Sequence, residues 1–146
     1  MAILPIIIGQ DNPVLRKKTV KIAKITKEIK ELAKSMAETM IEANGVGLAA
    51  PQVNSNVRMC LAPINGQVRA LINPKITSRS KATDTDEEGC LSLPGIYLPV
   101  TRHTSITLTY MDINGKMQER KMEGFEARVV QHETDHLDGV LIVDYK

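Results

Sequence analysis

The segment from Gly124 to Leu137 constrains this chain more than any other. Phe125, Val129, His132 and His136 fall at i, i+4, i+7 and i+11, one face of a helix, and Gly139 stops it. Upstream the period changes to two. Ile106, Leu108 and Tyr110 alternate with Thr107 and Thr109, as a half-buried strand requires. Asn114-Gly115 then predicts a hairpin turn with a return strand over 116–122. Val57–Leu61 and Val68–Ile72 flank a second turn signal, Asn65-Gly66. Earlier still, Ile29, Leu32, Ala33, Met36, Ala37, Met40 and Ile41 form the apolar stripe of an amphipathic helix, capped by Thr26 and ended by Asn44-Gly45. Pro94 and Pro99 predict irregular backbone over 94–100. Strands followed by a late helix predict an α+β fold, with antiparallel sheets packed around that helix and the amphipathic helix near the N-terminus.

A length of 146 residues fits one domain, 1–146. Aromatic residues are only 3% and Trp is absent, so aliphatic side chains and seven Met must fill the core. The net charge of +2 is too balanced to imply specific DNA binding. The run Arg16, Lys17, Lys18, Lys21, Lys24, Lys27, Lys30 and Lys34 reads first as a solvated face, and in a sharper reading as a weak contact with RNA or an acidic surface. No apolar stretch reaches bilayer length, and Met1–Gly9 lacks the basic start of a secretory signal, so no membrane role is expected. Cys60 and Cys90 make no disulfide framework. The expected setting is the reducing cytoplasm, where a cysteine is more often a ligand, a nucleophile or core filling.

His132-Glu133-Thr134-Asp135-His136 is the strongest chemical signal. The two imidazoles share a helix face and can reach one metal ion, with Glu133 beside them as a base. A catalytic site of this kind has three protein ligands and an open position. A metzincin would place its third histidine at 142, which is Ile142, and the ten residues after His136 contain no Glu. The third ligand is therefore upstream or an unusual Asp. Cys90, in Glu88-Gly89-Cys90-Leu91-Ser92-Leu93-Pro94, and His103 are the upstream candidates. A thiolate suits Fe2+ or Zn2+, His103 reads as a strand-end residue, and Cys60 reads as core filling. The segment Gly45-Val46-Gly47-Leu48-Ala49-Ala50-Pro51-Gln52 has small residues that allow close backbone approach, and Gln52 offers an uncharged donor. Taken alone, it also reads as a helix stop followed by packing residues.

Together, Gly45–Gln52, Glu88–Ser92 and Gln131–His136 resemble, in order, the three motifs of the peptide deformylase family, and Asp11–Arg16 resembles its N-terminal segment. The resemblance spans essentially the whole chain and is to a short form without a further C-terminal helix. It implies hydrolysis of the N-formyl group from formyl-methionyl peptides and nascent chains, with transient contact with the ribosome and a bacterial, phage-infected or organellar setting. It implies Cys90, His132 and His136 as ligands of Fe2+, for which Zn2+, Ni2+ or Co2+ can substitute. It makes Glu133 the general base, and Gln52 and the Leu91 N–H donors to the oxyanion. It places the methionine side chain against Val46, Phe125, Val129 and the His132 ring, with Tyr97 at the rim and Gly45–Gly47 pairing with the substrate backbone. Two alternatives stay open, a small metallopeptidase on the same helix and a non-catalytic metal- or peptide-binding module. A thiol hydrolase using Cys90 is a third reading.

Overall fold

The computed structural model describes residues 2–146. A short helix α1 (Pro13–Arg16) precedes α2 (Lys27–Glu42), whose first turn is capped by Thr26 Oγ1 accepting from the Ile29 N–H at 3.3 Å. Strand β1 (Leu48–Ala49) leads into a 3-10 turn (Ala50–Val53). Strands β2 (Met59–Ile64), β3 (Gln67–Arg79), β4 (Thr83–Cys90), β5 (Leu93–His103), β6 (Ser105–Met111) and β7 (Met117–Glu123) follow. Helix α3 (Gly124–Leu137) and a 3-10 turn (Ile142–Tyr145) complete the described chain.

All strand pairings are antiparallel. β1, β2, β3, β6 and β7 form one sheet in that order, and β4 and β5 form a second. Alternation along β2 sorts the core into two halves. Cys60, Ala62 and Ile64 pack with Leu71, Leu108 and the α3 residues Ala127, Val130 and Leu137, while Met59 and Leu61 pack with Met36 and Met40 of α2. The five-stranded sheet is thus clamped between the helices. A third apolar cluster, Leu15, Leu93, Val100, Leu141 and Ile142, seats β5 and the last 3-10 turn. Helix α3 therefore lies between the two sheets, as the sequence reading anticipates for an α+β fold.

One stretch corrects that reading. Residues 94–100 are not irregular, because β5 runs through both prolines, with Pro99 opposite Glu87. In a two-stranded sheet each strand has one unpaired edge, so a proline can turn its missing N–H outward. β3 also runs seven residues beyond Ile72, through register shifts after Ile72 and Ile76, with Asn73 at positive φ. Strand β4 had no signal at all in its sequence, Thr-Asp-Thr-Asp-Glu-Glu-Gly-Cys, which lacks an apolar alternation.

Candidate active site

The functional residues expected from sequence meet at one cavity of about 500 Å³, which lies where α3, β4 and β5 meet the segment just before β1. Gly45, Val46, Gly47, Gln52, Cys90, Leu91, Tyr97, Phe125, Val129, His132 and Glu133 all line it. His136 sits one helical turn deeper and is buried. Sγ of Cys90 and ring nitrogens of His132 and His136 lie within 4.8 Å of one another, and Cys90 Sγ is 3.3 Å from His136 Nε2. The register shift between Gly89 and Cys90 turns the thiol toward the helix. His103 does not join them. It ends β5 and its Nδ1 lies 2.7 Å from the Ser80 carbonyl oxygen. Cys60 is fully buried in the core, where burial pushes its thiol up.

The arrangement passes a direct test for a cation. One thiol and two imidazoles are a strong donor set for a borderline-soft divalent metal. Glu133 Oε1 and His136 Nδ1 are buried and have no hydrogen-bond partner among the described residues. Burial disfavours charge on His132, yet Glu133, Cys90 and Glu88 outweigh it and push the imidazole up to about 10. Burial and the neighbouring charges of His132 and Arg102 push His136 the other way, well below the usual imidazole range, so it stands neutral with a lone pair free to bind a cation.

The groups behind the ligands are as ordered as the ligands. His132 Nδ1 donates to Glu88 Oε1 at 2.9 Å, which leaves Nε2 to face the other donors. Glu88 is gripped by Arg102 through a two-pronged contact (3.0 and 2.9 Å) and by Arg128 Nη1 at 2.6 Å. Burial opposes its charge, but the bonds from His132 and Arg102 prevail and hold the carboxyl well below the usual range. Arg128 is fixed in turn by Asp84 and the Val100 carbonyl. No sequence motif points to Arg102, Arg128, Asp135 or Tyr145 as functional. The available signal was Arg102 in step with Val100 on β5, a cation at an inward position of a strand, which calls for a buried partner.

Glu133 is nearly fully buried, and desolvation pushes it up to about 7 against the opposing charges of His132 and Arg102. Gly47 makes room for it, since a Cβ there would stand 2.7 Å from Glu133 Oε2 and 2.9 Å from the Leu61 carbonyl oxygen. Gln52 is held at both ends of its amide. Oε1 accepts from the Ala49 N–H at 2.9 Å, and Nε2 reaches Ser92 Oγ at 3.1 Å and Cys90 Sγ at 3.9 Å. At the mouth Val46, Tyr97 and Phe125 are each more than half exposed, and the Tyr97 ring lies over Gly89.

A family model described as polypeptide deformylase matches residues 3–146. The chain belongs to this family. A peptide deformylase from Dictyoglomus thermophilum is 46% identical over 133 residues, covering 91% of this chain and 86% of its own length. The crystal structure of peptide deformylase from Thermotoga maritima superposes with a TM-score of 0.94 at 40% identity, covering 98% of this chain and 97% of that one. A Met-Ala-Ser-bound class I type b peptide deformylase from Acinetobacter baumannii gives 0.93 at 32% identity, covering 99% and 98%. The chain is thus a metal-dependent deformylase with a Cys-His-His metal-binding group, built on the α+β fold of its family.

Proposed function

We propose that this deformylase removes the N-formyl group from formyl-methionyl peptides and nascent chains in the cytoplasm, with Fe2+ held by Cys90, His132 and His136. The observation that carries the reading is the convergence of those three donors at the cavity floor beside a buried, unpartnered Glu133 oxygen. A divalent metal bound there would polarise the formyl oxygen and acidify a water.

The remaining chemistry belongs to the chain. Glu133, whose buried Oε1 has no partner among the described residues, accepts a proton from the attacking water and delivers it to the amine as the formyl C–N bond breaks. Formate and a free N-terminal methionine are the products. The charge that develops on the formyl oxygen is met by the Leu91 N–H and by the Gln52 amide, whose orientation Ala49 and Ser92 fix in advance. Val46, Phe125, Val129 and the His132 ring receive the methionine side chain, with Tyr97 at the rim. The backbone of Gly45–Gly47 pairs with the substrate as an added strand, which reads few side chains and suits a general processing enzyme. Transient contact with the ribosome would bring nascent chains to this mouth, and the exposed cations between Arg16 and Lys34 have the charge to meet ribosomal RNA.

The test is formate release from formyl-Met-Ala-Ser by anaerobically purified, Fe2+-loaded protein, beside a chelated control. Chelator-sensitive formate is the expected outcome. A folded, metal-loaded sample that releases none contradicts the assignment.

A further inference from the structure

Behind the metal ligands a chain of contacts leads away from the cavity to the 3-10 turn Ile142–Tyr145. Arg102 is almost fully buried and uses four of its N–H groups. Two grip Glu88, one meets Asp135 Oδ2 at 2.5 Å, and one meets the Tyr145 hydroxyl at 3.2 Å. The same hydroxyl donates to Asp135 Oδ2 at 2.6 Å, so Arg102, Asp135 and Tyr145 close a ring of hydrogen bonds. The Tyr145 ring also lies 4.9 Å from the guanidinium carbon and shields that side of it. The turn itself is pinned from α1, where Arg16 Nη1 donates to Asp144 Oδ2 at 2.7 Å.

We propose that Tyr145, together with Asp135, is a positioning residue for the metal ligand His132, acting through Arg102 and Glu88, so that this turn sets how tightly the site retains its metal. The proposal rests on Cys90, His132 and His136 being the metal ligands. The physical reason is the low tolerance of the Glu88–His132 contact. One oxygen of Glu88 fixes the imidazole ring, and the fork from Arg102 fixes that carboxylate. Removing the phenolic hydroxyl takes one acceptor from Arg102 and one donor from Asp135. Burial and the neighbouring Asp135 keep the phenol protonated, with its ionisation pushed up to about 12, so the donated proton is always present. Support of this kind behind a ligand is reflected in metal retention.

The experiment compares Co2+-loaded wild type with Tyr145→Phe and Arg102→Lys. It reads the thiolate-to-cobalt charge-transfer band, the rate of cobalt loss to excess chelator, and the melting of each metal-free protein. The expected result is the same band in wild type and Tyr145→Phe, with cobalt lost on the order of tenfold faster from Tyr145→Phe and its metal-free form still melting cooperatively, within about 5 °C of wild type. Arg102→Lys, which keeps the charge and loses the fork, should lose cobalt faster still. Cobalt loss from Tyr145→Phe within twofold of wild type overturns the proposal. Absence of the thiolate band in wild type overturns the ligand assignment instead, and the positioning role with it.

Discussion

At the residue scale the site is a compromise between chemistry and stability, and Glu133 shows it most plainly. Folding moves this carboxyl from its ordinary value of 4.5 up to about 7 by burying it. A carboxyl raised in the folded state favours the fold below its unfolded value and loses that favour as pH rises through its folded one. Metal-free Glu133→Gln should therefore be more stable than wild type at pH 8, by up to roughly 3 kcal/mol, with the difference gone below about pH 4.5. Denaturant melts at the two pH values measure it, and an equal difference at both would contradict the buried-carboxylate account. Gly47 is the matching packing constraint. Gly47→Ala drives a methyl against Glu133 and the Leu61 carbonyl. A shift of about 1 Å in a catalytic group costs on the order of a hundredfold in kcat/KM, so formate-release kinetics of the alanine variant should fall by that order.

At the element scale the decisive piece is β4, whose sequence carries no strand signal. Its acidic residues carry no alternating apolar signal, and it is a strand because β5 pairs with it and because Arg102 and Arg128 neutralise its inward carboxylate. The same physics explains β5, where two prolines read locally as a break but are tolerated at a sheet edge. Helices α2 and α3 were legible because their apolar periodicity and caps are local features. Networks such as Glu88–Arg102–Asp135 join residues distant in sequence and leave no periodic trace. The ion pair predicts an acid limit. Glu88 ionises well below its ordinary range in the folded state, so its stabilisation is complete above about pH 4.5 and is lost as pH falls below it. Melting temperature of the metal-free protein should drop steeply in that window, and Glu88→Gln should flatten the drop. A Glu88→Gln profile parallel to wild type would remove Glu88 from the acid limit.

At the scale of the whole molecule, the five-stranded sheet with a helix on each face supplies rigidity, and the small second sheet brings Cys90 to the helix that holds both histidines. The candidate ligands were legible in the sequence because His132 and His136 share a helix and Cys90 stands in a constrained Gly-to-Pro segment. Their mutual distance was not, because it depends on how two sheets meet around α3. Metal binding should couple to global stability for the same reason. Free metal at 100 times its dissociation constant stabilises the fold by about 2.7 kcal/mol, so chelation should lower the melting temperature of wild type and leave Cys90→Ala unmoved. An equal chelator shift in Cys90→Ala would exclude the thiol as a ligand. A metal held by Cys90, His132 and His136 and a separate proton carrier, Glu133, must come apart under mutation. Bound metal and formate release, taken on one preparation each of wild type and Glu133→Gln, separate them. Metal content should be equal in the two, with turnover lost in the variant. Full turnover in metal-loaded Glu133→Gln would remove Glu133 from the chemistry.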